Sequence, residues 1–191
     1  MTVEPRQAAS LILLRDADDG VEVLLVQRNP DQRFMGGAWV FPGGAVDKGE
    51  EADHAATAVR ELEEEAGIVV ADPGGLVKFS RWITPAEVVV RYDTHFFLAA
   101  LPDGQEATID GDEIVDEGWF TPAGALAAHR DGEIALVFPT IKHLEQLAGF
   151  ASADALLDFA RGREVGPVQP RIVAQGETAR LLLPGEPGYD D

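Results

Sequence analysis

The segment from Asp53 to Gly67 constrains the fold most, because it predicts one short helix with two chemically different faces. Asp53 is a favourable N-cap residue, and Gly67 is a typical C-terminal stop. On a helical wheel of about 100° per residue, Glu61, Glu64 and Glu65 share one face. Four apolar residues share another face and predict a stripe that packs against a core: Ala55, Val59, Leu62 and Ala66. The fold must therefore place a carboxylate cluster beside a packed interior.

This carboxylate cluster is unfavourable in isolation. Like charges three or four residues apart cost about 0.2–0.5 kcal/mol per pair, and the last turn of a helix disfavours negative charge. A solvated acidic surface is the simplest interpretation of such a cluster taken alone. A bound divalent cation would reverse the repulsion, since hard Mg²⁺ prefers carboxylate oxygen. The helix by itself leaves both interpretations open.

The whole chain is strongly acidic. Its 191 residues contain 34 Asp and Glu against 15 Lys and Arg, which gives a formal charge of −19. Such a protein repels nucleic acids and anionic membrane surfaces, so we expect neither as a partner. The lack of cysteine excludes disulfides and thiolate metal sites. Since the sequence shows no membrane-length apolar run and no secretory leader pattern, it predicts a soluble, cytoplasmic protein.

Strands and helices alternate irregularly along the sequence. Ser10–Leu14 and Val21–Gln27 predict a β-hairpin, because the acidic, glycine-ended segment between them is typical of a turn. The other predicted strands are Leu76–Ile83, Glu87–Tyr92, His95–Ala100, Glu113–Phe120, Arg171–Ala174 and Ala179–Leu183. Helices are predicted from Thr121 to His129, over Ile141–Leu147 and over Ala153–Arg161. This order favours an α/β fold with helices packed on a mixed sheet.

The residues around the acidic helix resemble the signature of the Nudix hydrolase family, G-x5-E-x7-R-E-U-x-E-E-x-G-U, where U is a bulky aliphatic residue. The stretch from Arg60 to Ile68 fits the second half without a mismatch, and Gly44 and Glu50 have the family's five-residue gap. Nine residues rather than seven separate Glu50 from Arg60. The two additional residues precede or begin the helix, so they should lengthen the loop and leave the glutamate face intact.

The resemblance implies an αβα sandwich with a mixed β-sheet, in which the signature forms a loop-helix-loop. It implies a Nudix domain over residues 1–150, with a C-terminal helix and a short hairpin, residues 151–191, packed on it. It also implies Mg²⁺ or Mn²⁺ as cofactor and a small nucleotide as substrate. The implied metal ligands are Glu61, Glu64, Glu65, the carbonyl of Gly43, and Glu113 from outside the helix. The implied catalytic residues are Glu61, Glu64, Glu113 and Arg60, which would orient Glu61 or Glu50; Asp116 and Glu117 are the alternatives to Glu113.

A segment before the signature resembles the coenzyme A diphosphatase branch, L-L-T-x-R-[SA]-x3-R-x3-G-x3-F-P-G-G. All spacings from Leu24 to Gly44 agree, and only Val26 and Asn29 depart from it. Arg28 and Arg33 are suitable phosphate anchors, since guanidinium groups bind phosphate bidentately, although either arginine can equally pair with a surface carboxylate. Together with Arg91–Phe97 and Leu183–Tyr189, which resemble the peroxisomal members of this branch, the segment predicts coenzyme A or acyl-coenzyme A as substrate. The predicted substrate-binding residues are Arg28, Arg33, Phe41, Gly44 and Arg91.

Two alternatives remain open at this point. Pro85 lies 17 residues after Ile68, close to a proline of the ADP-ribose-cleaving relatives, which favours ADP-ribose or NADH as substrate. A non-catalytic Nudix module that senses a nucleotide is the other, although such a module would be expected to lose signature carboxylates that this chain retains. The family resemblance also allows a homodimer. The four histidines lack metal-ligand spacing and the three tryptophans are typical of a core, so we expect structural roles for both.

Overall fold

The computed structural model describes residues 3–47, 53–109, 111–175 and 178–190 of the chain. Its first element is an antiparallel hairpin of β1 (Arg6–Ala17) and β2 (Gly20–Arg28). Gly20 closes the turn at a φ of 118°, a conformation that favours glycine because it has no Cβ. The predicted hairpin is confirmed, with both strands longer than the apolar runs that indicated them.

Nine strands within the described part of the chain form one mixed sheet, in the order β8-β3-β2-β1-β6-β5-β9, with β4 on β1 and β7 on β2. The remaining strands of this sheet are β3 (Ala38–Val40), β4 (Gly43–Ala45), β5 (Val77–Ile83), β6 (Tyr92–Ala100), β7 (Ile114–Phe120), β8 (Ala135–Leu136) and β9 (Pro167–Val168). A separate hairpin follows, formed by β10 (Arg171–Gln175) and β11 (Thr178–Leu182). The helices are α1 (His54–Ala66), α2 (Pro122–Arg130), α3 (Phe138–Leu147) and α4 (Ala153–Arg161), with a 3-10 turn at Pro73–Gly75.

The sheet is covered on both faces, which gives the predicted αβα sandwich. Successive side chains of β1 alternate between the two faces, as strand geometry requires. Leu11 and Leu13 pack in one core with Leu62 of α1. Ile12 and Leu14 pack in the other core, which contains the buried leucines of α3 and α4: Leu144, Leu147, Leu156 and Leu157. No described helix is long and apolar enough to span a membrane.

The long strands β1 and β2 do not stay paired along their whole length. The two strands pair only next to the turn, from Leu14 opposite Val23 to Ala17 opposite Gly20. Residues 8–10 of β1 pair with β4 instead. The second half of β2 pairs instead with β3 and β7. The short strand β4 is therefore held on β1 beside the end of β2, and this is where α1 approaches the sheet.

The predicted strand over Glu87–Tyr92 is wrong except at its last residue. Thr84 to Arg91 form a loop, and β6 starts at Tyr92. The Thr84 amide donates to the Tyr92 carbonyl (2.9 Å), and the Val88 amide donates to Pro85 O (3.2 Å), so the backbone turns back on itself. Val89 is 80% exposed at the tip of this loop. The three consecutive valines at 88–90 have high strand propensity, but the surrounding tertiary structure determines the conformation here, and it is a loop.

Candidate active site

Helix α1 begins and ends where the sequence predicted. The Asp53 carboxylate accepts a hydrogen bond from the Ala56 amide (3.0 Å), and Gly67 adopts the left-handed conformation with φ 66°. Its amide donates to the Glu63 carbonyl (2.9 Å). These two caps fix the register of the helix, and thereby the direction in which Glu61, Glu64 and Glu65 project.

The buried side of α1 differs from the predicted stripe. Ala58, Leu62 and Ala66 are fully buried, whereas Ala55 and Val59 are only half-buried. Glu65 is also buried, although the wheel had placed it with the other carboxylates on a face away from the core. The reason is β4, which packs against this side of the helix and cannot be foreseen from the helix alone.

Glu65 is held at the interface of α1 and β4. Its side chain is 5% exposed, and its Oε2 accepts a hydrogen bond from the Gly43 amide (2.9 Å). Burial raises the pKa of Glu65 to about 8, against the opposing effect of the Gly43 hydrogen bond; the nearby negative charge of Glu61 raises the pKa further. The carboxylate therefore lies where a neighbouring positive charge would be strongly stabilising.

The two glycines of β4 are required by close packing. A Cβ on Gly43 would lie 2.5 Å from the Ala9 carbonyl oxygen and 2.7 Å from Ser10 Cα. A Cβ on Gly44 would overlap the carboxylate of Glu61. Only glycine can occupy either position without a shift of its neighbours, and Gly44 in particular leaves room for the Glu61 side chain.

Arg60 binds two of the three helix carboxylates. Its Nη2 lies 2.8 Å from Glu61 Oε1, and its Nη1 lies 2.7 Å from Glu64 Oε2. Nη2 also donates to the Ala45 carbonyl of β4 (3.3 Å). Burial raises the pKa of Glu61, and Arg60 opposes that shift. This placement suits an orienting role for Arg60; its other predicted partner, Glu50, lies outside the described residues.

Glu113 and Arg28 meet on the other side of the cluster. The Asn29 amide donates to the Glu113 carbonyl (2.9 Å), which aligns the end of β2 with the start of β7. Arg28 Nη2 lies 3.5 Å from Glu113 Oε1. The Arg28 guanidinium also donates to the side chain of Gln32 and to the Phe34 carbonyl. Strand pairing thus brings together an arginine and a glutamate that are far apart in the sequence.

One cavity of about 650 Å³ joins most of the predicted site. Its lining includes seven of the predicted residues and the glycine whose carbonyl was predicted as a ligand: Arg28, Phe41, Gly44, Glu61, Glu64, Glu65, Glu113 and Gly43. Arg60 lies behind the lining, in contact with its carboxylates. Asp116 and Glu117, the predicted alternatives to Glu113, do not line the cavity.

Two predicted substrate-binding arginines are not brought to the cavity. Arg91 is 7% exposed, and its guanidinium donates to the carbonyls of Thr84 (3.1 Å) and Val3 (2.7 Å). A buried guanidinium needs acceptors for its N–H groups, and here the backbone carbonyls supply them. The hydrogen bonds of Arg91 to Thr84 therefore hold together the two ends of the loop between β5 and β6. Arg33 is exposed on the loop after β2 and is absent from the lining.

The sequence did not predict the apolar part of the lining. It includes Phe34 and Met35 from the loop after β2, Trp82 from β5, Phe138 from α3 and Leu181 from β11. Phe34 packs on Tyr92 with ring centroids 5.7 Å apart, and Trp82 packs edge-on against Phe138 at 6.2 Å. Trp82 was predicted as a core residue and does lie in the core. No local pattern distinguishes such residues from other core residues.

The donor set has the chemistry of a hard-cation site. Four carboxylates line the same cavity, and the charges of Glu64 and Glu113 each raise the pKa of Glu61, against the larger opposing effect of Arg60. Oxygen donors of this kind suit Mg²⁺ and Mn²⁺. Within the described ranges, however, no three such side chains form a ready-made metal group. Arg60 forms ion pairs with Glu61 and Glu64, and the Gly43 amide donates a hydrogen bond to Glu65. The carboxylates are held by these contacts, and their oxygen donors and negative charge fit a divalent cation.

Comparison with known proteins identifies the family. The sequence model of the NUDIX domain matches residues 4–138. The chain belongs to the Nudix family. Nudix hydrolases cleave pyrophosphate bonds in nucleoside diphosphate-linked substrates and generally need divalent cations, and this chain is such a hydrolase.

This Nudix chain is similar to three known proteins along most of its length. Nudix hydrolase 7 of Caenorhabditis elegans is 26% identical over 97% of this chain and 75% of its own length. The human acyl-coenzyme A diphosphatase NUDT19 is 24% identical over 90% of this chain and 73% of its own length. A Nudix hydrolase structure from Alicyclobacillus acidocaldarius is 27% identical, with a TM-score of 0.75 over 83% of this chain and 97% of that one.

Proposed function

We propose that this Nudix hydrolase cleaves the diphosphate bond of coenzyme A or acyl-coenzyme A. The observation that carries the proposal is the division of the cavity: Arg28 and four glutamates line one part, and a mainly apolar surface without charged side chains lines the rest. A substrate with a diphosphate attached to a long, uncharged arm matches that division. The name of the human relative, an acyl-coenzyme A diphosphatase, and the segment from Leu24 to Gly44 support the same substrate class.

The proposed chemistry adds one water molecule across the P–O–P bond. The water oxygen bonds to one phosphorus, and the bridging oxygen leaves with its electron pair on the other phosphate. One proton of the water passes to a base, for which Glu61 and Glu113 are the two candidates. The products are an adenosine bisphosphate and a phosphopantetheine.

Each residue of the carboxylate part has a proposed role. Glu61, Glu64, Glu65, the Gly43 carbonyl and Glu113 would hold Mg²⁺ or Mn²⁺, which when bound neutralises phosphate oxygens and lowers the pKa of water. Arg60 would orient Glu61 and Glu64, since it already contacts both. Arg28, which lies beside Glu113, would bind a phosphate oxygen, and Phe41 and Gly44 would form part of the wall.

The test is a substrate panel with the purified protein in Mg²⁺ and in Mn²⁺. Coenzyme A, ADP-ribose and NADH are compared by kcat/KM, and products are identified by mass. We expect coenzyme A to be the preferred substrate and Glu64→Gln to abolish its turnover. Glu63→Gln is the matched control, because Glu63 is an exposed neighbour on the same helix and does not line the cavity. Turnover of ADP-ribose far above that of coenzyme A would contradict the proposal.

An ADP-ribose or NADH pyrophosphatase is the second candidate function. The observation that favours it is the position of Pro85, which lines the cavity at the loop between β5 and β6. The same panel separates the two candidates. A protein that binds a nucleotide but hydrolyses no diphosphate with either metal would instead be a sensor.

A further inference from the structure

The far part of the cavity forms an apolar compartment, defined here by Trp82, Val88, Phe138, Pro170 and Leu181. These residues come from four separate places: strand β5, the loop after it, the first turn of α3, and the C-terminal segment that contains β10 and β11. Parts of the chain that are distant in sequence thus form one wall, in a cavity whose volume is typical of small-molecule sites.

The apolar compartment has no charge to offer a ligand. Among the described lining residues, the charged ones are Arg28, Glu61, Glu64, Glu65 and Glu113, all of them in the carboxylate part. Of the hydroxyl groups in the lining, Thr84 Oγ1 accepts a hydrogen bond from the Tyr92 amide, and Ser10 Oγ donates to the Pro42 carbonyl (2.8 Å). Lys142 Nζ lies 5.7 Å from the Phe138 ring, but it is outside the lining and pairs with Glu145 (2.8 Å). A phosphate placed in the compartment would therefore lose its hydration without a cation in the lining to replace it, which is costly.

The compartment lies well away from the carboxylates. Glu65 contacts β4, and Trp82 lies on β5, with β1 and β6 between these two strands. Three strand-to-strand steps of about 4.8 Å separate β4 from β5 by about 14 Å. A ligand that occupies both parts of the cavity must therefore bridge on the order of 14 Å, which favours the distal end of a long arm as the group that enters the compartment.

Part of the wall comes from outside the matched domain. Pro170 and Leu181 follow residue 138, where the match to the NUDIX domain ends, and Phe138 is its last residue. Leu181 pairs with Ile172 in the β10–β11 hairpin, and the neighbouring Leu182 is buried. The hairpin is thus anchored by one leucine while the other faces the cavity.

We propose that the apolar compartment binds the acyl chain of an acyl-coenzyme A, with Leu181 and Phe138 determining the preferred chain length. This inference rests on the proposed function and deepens it. The nucleotide arm of the substrate carries an additional phosphate, for which the compartment has no cation. The pantetheine arm is uncharged and long, and it ends in the acyl group. The charges and the distance together select this arm and its acyl chain as the occupant.

The experiment measures kcat/KM for coenzyme A and for its acetyl, hexanoyl and octanoyl thioesters. Each methylene group removed from water contributes up to about fourfold, so octanoyl-coenzyme A should exceed acetyl-coenzyme A by at least about tenfold. Leu181→Trp fills the compartment and should reduce the octanoyl-to-acetyl ratio to about one. Leu181→Ala removes wall atoms without adding bulk and should lower the ratio by about threefold or more. Arg180→Trp, an exposed neighbour on β11, is the control and should keep the wild-type ratio.

The outcomes distinguish this inference from the proposed function. A wild-type enzyme that hydrolyses ADP-ribose but no coenzyme A thioester would contradict both. A wild-type enzyme that hydrolyses coenzyme A and all thioesters equally well would overturn the acyl-chain site alone. A chain-length preference that survives in both Leu181 variants, with each shown to be folded by circular dichroism, would place the chain elsewhere and overturn it as well.

Discussion

The close approach of Gly44 to Glu61 gives a sharp prediction for Gly44→Ala. The new Cβ would overlap the Glu61 carboxylate, so that carboxylate must leave its position, together with its 2.8 Å ion pair to Arg60. Displacement of a reacting group by about 1 Å lowers catalysis on the order of 100-fold. Overpacking costs about 1–3 kcal/mol of unfolding free energy, so most of the protein should still fold. We expect a large loss of kcat/KM with a modest loss of stability.

The assay combines diphosphate hydrolysis with urea unfolding. Gly166→Ala is the matched control, because a Cβ there meets no atom within 4 Å; we expect near wild-type activity and stability. The double variant Gly44→Ala/Glu61→Gln tests the cause directly. If Gly44→Ala acts only through Glu61, the double variant should be no less active than Glu61→Gln alone. Multiplicative losses, or full activity in Gly44→Ala, would refute the reasoning.

Two further predictions concern stability. His143 is fully buried among aromatic rings, with Nε2 2.6 Å from Ser80 Oγ, and burial lowers its pKa to about 3. The pKa of a histidine in the unfolded chain is near 6.5, so neutral His143 contributes fully to the free energy of unfolding above pH 6.5. This contribution is lost progressively as the pH falls from 6.5 to 3, and the loss between pH 7.5 and 5 is about 2 kcal/mol. Urea unfolding of wild type and His143→Leu at both pH values checks this, and an equal acid loss in the two proteins would contradict it. Asp53→Ala removes the cap of α1 and should cost about 1 kcal/mol in urea unfolding, whereas Asp53→Asn keeps an acceptor oxygen and should be close to wild type; equal losses would show that the cap hydrogen bond is unimportant.

Local rules predicted the elements that local interactions determine. The hairpin of β1 and β2 followed from two β-type runs on either side of a turn, and α1 followed from Asp53, Gly67 and the spacing between them. The contact of Arg60 with Glu64 was not predicted, although helical geometry alone allows it, since residues four apart lie side by side. These features were therefore accessible before any tertiary structure was known.

The errors arose where distant parts of the chain decide the outcome. Arg91 was predicted to bind substrate, but the carbonyls of Thr84 and Val3 surround its guanidinium. Glu65 was predicted on an open acidic face, but β4 covers it. The loop after β5 was predicted as a strand because its valines match strand propensity. In each case the deciding neighbour comes from another part of the sequence, and no helical or strand period encodes it.

The apolar compartment was missed for the same reason. Trp82 was predicted as an ordinary core residue, and nothing in the sequence singled out Phe138. The short runs that form β10 and β11 gave no indication that Leu181 would face a cavity. The pairing of Val168 in β9 with Trp82 brings the C-terminal segment beside β5, and no local pattern encodes this pairing.

The two ends of the cavity are encoded in separable stretches of the gene. Apart from Glu113, the carboxylate part comes from residues 28 to 65, whereas three of the five residues that define the apolar compartment come from residues 138 to 181. A mutation, deletion or recombination event in the second stretch can therefore alter which molecules fit while every glutamate keeps its place. Chimeras that exchange residues 138–182 between Nudix proteins are a direct way to retarget such an enzyme, and lineages have the same route available to them.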